Sequence, residues 1–503
     1  MANSSMLKLG PFTGGLNNFS DPTSIKDTEL AVCKNFDFDV DGTLISRPPV
    51  TQDSVTGPIT GQNIDLLGYF RSQTGSVYLI GSTTSAIYYL SSGTWNLITN
   101  TYAADCAIQY LDKMWIPAIP GSANPGGSWD PSGGFSAVAS MPKGSAIAIF
   151  KERLWIAAGK SETVNGSRLY FSGIGDGTAW AGADFLDPNK GDGQKLVDIY
   201  ALSSNLFLFK ENGTYVLQYD SSPSKGVINP VSKTIGVADI RCIAQYENIL
   251  YIFHGGFLYE LINYQFNKTN IRNNITKGAA GSYLTNIWVA LVGNRIVVFY
   301  YGNYFIFYLF TRTWSQWTFT SPVARFYYTP DSANAGSLAS YVSNSNAVGN
   351  EHTYTFLDGF QASRSESGVH ARIETKIYDL NSPNLFKKLY WWGADVLVNG
   401  TVDAYAVPVI YNFTVTWAQM ASFTWADVIN NTWARPSETD ISVHEIVSSI
   451  GAIRKFLKFM KSMRFRNAYF ILDFTITDWV NPSRIYSITP VVAVKQQVPK
   501  TTN

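Results

Sequence analysis

The chain has 503 residues, and 38 Lys+Arg against 37 Asp+Glu leave a formal net charge of +1. Charged residues make up 15% and aromatic residues another 15%, which excludes intrinsic disorder and fits pleated sheet better than solvated helix. Balanced charge gives no global attraction to nucleic acid or an acidic membrane, and the length suits about three domains. Three cysteines, Cys33, Cys106 and Cys242, are too few and too scattered for a disulfide framework or a thiolate zinc site.

In chain order, the N-terminus lacks the long apolar core of a secretion signal. Triplets such as Asn212-Gly213-Thr214 therefore read as an Asn-rich composition rather than glycan sites. Residues 27–32 predict a short helix with Asp27 as N-cap, and residues 36–46 a hairpin. A short apolar core then recurs behind a polar turn, beginning at Val77, Met114, Leu154, Leu206, Leu250 and Ile296. The intervals are 37, 40, 52, 44 and 46 residues. Units of about 40–50 residues with about four strands each are the signature of propeller blades. Several such units must stack to bury both faces. A row of β-sandwich domains with similar turns is the competing reading, and the steady interval favours the propeller. The apolar stretch 296–310 is too short to span a membrane as a helix and reads as a hairpin turning at Gly302-Asn303. Residues 326–359 would supply a seventh unit.

Past Ala371 the spacing becomes irregular and suggests a separate β-sandwich. The expected fold is thus all-β: a six- to seven-bladed β-propeller-like domain followed by a β-sandwich-like domain, with a short N-terminal segment. The boundaries fall at 1–60 for that segment, 61–360 for the propeller, 361–494 for the sandwich and 495–503 for a flexible tail.

Candidate chemistry is sparse. Asp37, Asp39, Asp41 and Gly42 resemble the front of a calcium loop, but Pro48 stands at the twelfth position, where a bidentate glutamate belongs. Alternation with Phe36, Phe38 and Val40 favours a hairpin with an Asp-Gly turn. The segment from Ser172 to Trp180 lacks the lysine of a phosphate loop and the spacing of a sialidase Asp-box, and reads as a tight turn with a packing tryptophan. The four histidines, His254, His352, His370 and His444, have no metal-ligand spacing, and no nucleophile elbow is present. Asp184 and Asp187 lie in a glycine-rich loop with nothing to raise one pKa. A glycosidase can draw its carboxylates from distant positions, so a propeller glycosidase stays in view. The expectation is no enzyme, no cofactor and no metal.

Two surface patterns remain. Trp417, Trp425 and Trp433 recur every 8 residues. They form either an aromatic row for sugar or protein, or packing over the sandwich. Arg454, Lys455, Lys458, Lys461, Arg464 and Arg466 form a basic cluster with no acid between Glu445 and Asp473. Helical spacing and strand alternation both fit 452–463. The cluster is either a solvated face or a contact to an acidic subunit, DNA phosphate or lipid.

The first fifty residues carry a family signal: Phe12-Thr13-Gly14-Gly15-Leu16-Asn17, Asp21-Pro22, Asn35-Phe36-Asp37-Phe38-Asp39, Asp41-Gly42-Thr43-Leu44 and Arg47-Pro48. This pattern resembles the opening of the tail nozzle (tail tubular protein B-like) proteins of short-tailed bacteriophages, β-propeller proteins of the virion. Arg168-Leu169-Tyr170-Phe171-Ser172 with Trp180, and Arg312-Thr313-Trp314-Ser315-Gln316-Trp317, are similar to that group as well. The resemblance implies a structural virion protein of the phage tail, made in the host cytoplasm and arranged as a homo-hexameric ring that extends the DNA conduit. It implies an adaptor and fibres as partners, and viral DNA passing without sequence-specific binding. Gly14, Gly15, Leu16 and Asn17, together with the basic cluster, are the expected assembly contacts. A tail-tip or baseplate propeller that binds saccharide through the tryptophan row is the alternative.

Overall fold

The computed structural model describes residues 4–6, 8–17, 20–47, 51–56, 64–92, 94–159, 161–219, 222–269, 287–300, 303–319, 325–330, 338–343, 352–357, 369–378, 387–397, 400–409, 444–447, 454–459, 463–465, 467–476 and 483–494. Seven four-stranded antiparallel units follow one another along the chain. These blades span 65–99, 108–137, 146–186, 196–232, 243–268, 287–317 and 325–357. The recurring apolar core is the second strand of each of the first six blades: Val77–Ser82, Lys113–Ile116, Arg153–Ala157, Asn205–Lys210, Ile249–His254 and Arg295–Tyr300. That strand has a neighbour on both edges and a blade on both faces, so it reads as a near-continuous apolar run.

The turns between first and second strands explain the polar residues ahead of each core. Leu111 and Asp112 have φ of 48° and 57°, and Lys151 and Glu152 have 48° and 56°. A two-residue hairpin needs this left-handed pair to match the strand twist. Side chains from the neighbouring blade hold the turns: the Tyr110 hydroxyl donates to the Glu152 carbonyl at 2.7 Å, and Gln73 Nε2 to Asp112 at 2.7 Å. The hairpin expected at 296–310 is present, with Tyr300 opposite Asn303.

The first strand of blade seven lies beside the first strand of blade one, which closes the ring of blades. Blade seven takes three strands from its own stretch of chain, and its outer strand is Thr51–Thr56, antiparallel to His352–Leu357. Closure therefore joins residues some three hundred positions apart in one sheet.

Blade six does not end at its fourth strand. Its sheet continues through Glu29–Lys34, Val369–Thr375, Asn467–Ile476, Gly400–Val409 and His444–Val447 into a ten-stranded sheet. A second sheet, of Arg454–Phe459, Lys387–Leu397, Arg484–Val494, Leu44–Ser46 and Phe36–Phe38, packs against that extension. Phe36 meets Phe474 edge-on at 5.4 Å and Trp392 meets Phe470 at 5.1 Å, which makes this a β-sandwich. One core cluster runs without a break from blades four to six into the sandwich.

Two expectations change here. Residues 29–34 form a strand, not a helix. Leu30 and Cys33 are buried, and the backbone pairs with Arg372, Ile373 and Glu374. Six residues make too short a helix to compete with a waiting sheet edge. Asp27 is no N-cap; its carboxylate pairs with Lys376 Nζ at 2.5 Å. Likewise the first sixty residues are not a segment of their own, because their described strands are distributed between the sandwich and blade seven.

Candidate functional site

The residues that carry chemistry gather in two places. The first is the junction of the N-terminal hairpin with blade six. Asn35 adopts φ 58° and turns its amide into the gap between strands. Its Nδ2 donates to Thr318 Oγ1 and to the His370 carbonyl, both at 2.7 Å. Its Oδ1 accepts from Arg47 Nε at 3.0 Å and from the Thr318 amide at 2.7 Å. Arg47 is fully buried, donates to the Thr318 carbonyl at 2.9 Å, and lies 4.7 Å over the Phe319 ring. Two residues further on, Asp37 accepts from Trp317 Nε1 at 2.9 Å, from Arg295 Nη2 at 2.7 Å and from the Tyr308 hydroxyl. Burial, then the Asp37 charge, holds the Tyr308 hydroxyl well above its ordinary pKa, so it stays a donor.

The glycines of the opening motif serve the same junction. Gly15 has φ +70°, and a Cβ there would stand 2.8 Å from Thr313 Cβ and 3.0 Å from the Trp314 amide nitrogen. Only glycine lets the chain pass so close. Leu16 and Asn17 are buried, and Asn17 Nδ2 donates to Glu29 at 2.8 Å. Gly14, Gly15, Leu16 and Asn17, expected as assembly contacts, are thus packed within their own chain. A cavity of about 450 Å³ opens beside them, lined by Leu16, Val32, Lys34, Gln316, Arg372 and Glu374. Arg372 bridges Glu374 at 2.9 Å and Asp473 at 3.5 Å, so the lining offers paired charges rather than a nucleophile.

The second place is the mouth of the propeller axis. Arg241, just ahead of blade five, reaches Asp65 of blade one at 3.3 Å and Asp239 at 3.9 Å. Asp105 stands in the same field, and burial, opposed by Ser145, raises its pKa above the ordinary carboxylate value. Blades five and one are not adjacent in the ring, so the Arg241–Asp65 pair bridges the axis at this end.

The remaining candidates are structural. The Asp39–Asp41 stretch turns its carboxylates onto its own backbone: Asp39 Oδ1 accepts from the Val40 amide and Asp41 Oδ1 from the Thr43 amide. The hydroxyl and amide of Thr43 lower the Asp41 pKa. Gly42, at φ +80°, closes the hairpin. Asp176 accepts from Thr178, and Trp180 Nε1 donates to the Gly177 carbonyl at 2.7 Å, which makes 172–180 a turn packed on its neighbours. Asp187 pairs with Arg168 at 3.4 Å and Lys190 at 3.8 Å instead of forming a dyad with Asp184. Burial lowers the His254 pKa and raises those of Cys33 and Cys242, the latter to about 12, so both thiols are inert. Among the described residues no group of three or more His, Cys, Asp or Glu is placed to hold a metal.

Sequence reasoning missed the buried ion Lys210, as it missed Glu260 and Glu374. Lys210 is fully buried, with its ammonium 2.8 Å from both Asp192 oxygens and 3.2 Å from the Asn189 carbonyl. It fills the centre of the polar 187–194 loop where an oxygen-lined site would otherwise need a cation. Its position inside a strand core, Leu206 to Lys210, was the available signal.

Arg454, Lys455 and Lys458 lie on the strand Arg454–Phe459 and Arg464 on Met463–Phe465. Both strands pair along Lys387–Leu397, with Arg454–Phe459 at the edge of the second sheet. The strand reading of this segment therefore holds and the helical one does not. Basic residues on an edge strand discourage pairing with other sheets. Lys461, Arg466, Trp417, Trp425 and Trp433 lie outside the described residues.

No protein-family model and no curated protein matches the chain. Among solved structures it is similar to the extracellular domain of a putative hybrid two-component system from B. thetaiotaomicron, with a TM-score of 0.42 and 11% identity over 71% of this chain. The chain spans 45% of that structure's length. It is also similar to the Pan2 WD40 domain of Neurospora crassa, with a TM-score of 0.37 and 10% identity over 61% of this chain and 89% of that one. The architecture itself defines the class: an all-β protein with a seven-bladed propeller-like ring continued into a β-sandwich. No helix among the described residues is long and apolar enough to cross a membrane.

Proposed function

We propose that the chain is a non-catalytic structural protein of a phage tail, a ring-forming nozzle or hub component that extends the DNA conduit. The observation that carries this reading is where most of the resemblance motifs lie, the Arg168–Ser172 motif of blade three apart. The Gly14–Asn17, Asn35–Asp39 and Arg47 motifs and the Arg312–Trp317 motif, distant in sequence, meet in one buried junction that joins propeller to sandwich. That is what a shared architecture, rather than a shared catalytic site, would preserve.

The axis supports a conduit between subunits. With Arg241 bridging blade five to blade one, a duplex has no path through a single propeller. Closed cyclic symmetry is how identical heterologous interfaces enclose a hole. A net charge of +1 suits a wall that DNA must slide past, since a wall rich in cations would grip phosphate. Six copies, and an adaptor and fibres as neighbours, follow from the resemblance.

Electron microscopy of the purified protein, and of virions with this chain labelled, tests the reading. The expected image is a closed ring of copies around a central channel. A lone propeller at a fibre tip, or a peripheral copy without a channel, would overturn it.

A further inference from the structure

Nine large apolar side chains stand exposed among the described residues, and five of them share one end of the propeller. They are Leu111 in blade two, Ile174 in blade three, Val227 in blade four, Tyr264 in blade five and Phe310 in blade six. First and third strands run toward this end, so the turns that follow them emerge there. Hydrogen bonds between neighbouring blades show the turns lying side by side: Gln73 to Asp112, Gln218 to Tyr264, and Tyr264 to Asn205. Val164 is the one such side chain in the described connections of the opposite end. A single exposed apolar residue needs no explanation. One on each of five successive blades, all at one end, is the arrangement of an association surface.

Charge indicates what this end accepts. Asp112 and Lys113 adjoin in blade two, Lys151, Glu152 and Asp176 lie in blade three, Lys225 in blade four and Glu247 in blade five, while Arg312 in blade six is already held by its own Glu260 at 2.9 Å. A face of one sign would repel its own copy, whereas this mixture of signs lets a rotated copy set cation against acid. We propose that this end of the propeller is an interface with a second copy of this chain, packed end to end about a two-fold axis. The proposal goes beyond the ring reading and does not depend on it.

The test is the mass of the full chain in solution across a wide concentration range, by sedimentation and light scattering. Tyr264→Glu with Phe310→Glu is compared with wild type, and Val164→Glu at the opposite end is the control; melting curves check that each variant is folded. The expected result is concentration-dependent pairing, weakened at least about tenfold in the double variant and unchanged in the control. Leu111→Glu alone, at an open turn, serves if the double variant does not fold, with the same expectation. A monomer at every concentration, or an association that the charged variants leave intact, overturns the proposal. A ring that ignores these substitutions would sink this interface and leave the conduit reading standing. A sensitive two-fold pair with no ring would do the reverse.

Discussion

Asp37 shows how much one side chain can organise. It neutralises Arg295, whose side chain is 11% exposed, and orients Trp317 and Tyr308 from the far side of the chain. Asp37→Ala would leave a buried guanidinium without its acid, a change that costs about 3–5 kcal/mol. Tyr308→Phe removes one donor and should cost about 1 kcal/mol. Urea unfolding measures both, and a loss below the Tyr308→Phe value for Asp37→Ala would show that the junction carries no such weight. Asp105 acts in the opposite sense. Its folded pKa is raised by burial, so the folded protein holds this proton more tightly than the unfolded chain. The resulting stabilisation is present below the unfolded carboxylate pKa and is lost as pH rises through the folded one. Asp105→Asn should therefore flatten the stability profile over the mildly acidic range and melt no lower than wild type at neutral pH. An unchanged slope from pH 4 to 7 would mean that Asp105 is not held protonated, the range being roughly that of a raised carboxylate.

Among the elements, Thr51–Thr56 has the largest consequence for its size. It is the fourth strand of blade seven, and blade seven closes against blade one. Removing residues 1–60 should therefore abolish the folded propeller, not merely shorten the protein, and would also strip Glu29–Lys34 from the outer edge of blade six. Limited proteolysis and circular dichroism of the truncated chain give the readout. A cooperative melt near that of the full chain would refute the closure. The polar turns belong to this scale too. Asp112 and Glu152 were legible as hairpin turns because such turns need a left-handed pair. The neighbour that stabilises each turn, Gln73 or Tyr110, was not legible, because it comes from another blade.

For the molecule as a whole, near-zero net charge leads to a weak, sequence-independent encounter with DNA. Duplex mobility in a gel at physiological salt should be unchanged by the protein, and a discrete retained complex would count against a conduit wall. The purified protein should likewise release no sugar from host surface polysaccharide; measurable release would bring back the glycosidase reading.

Composition and the interval of apolar cores, by themselves, determined that the chain is all-β and built of blade-sized repeats. Each such core is a local strand whose burial on both faces leaves an unbroken apolar run. The hairpin at 36–46 was equally local, since an Asp-Gly turn sets its register within a few residues. The partners of the N-terminal strands were decided only by the tertiary structure. Residues 27–32 read as a helix turn, yet 29–34 become a strand because an open sheet edge offers backbone partners that an isolated six-residue helix lacks. The hairpin that carries Asp37 was legible, but its partners Arg295 and Trp317, some 260 to 280 positions away, were not. Period and turn chemistry act over a few residues and can be read along the chain. Which edges and charges meet depends on closing loops hundreds of residues long, and no local pattern encodes that.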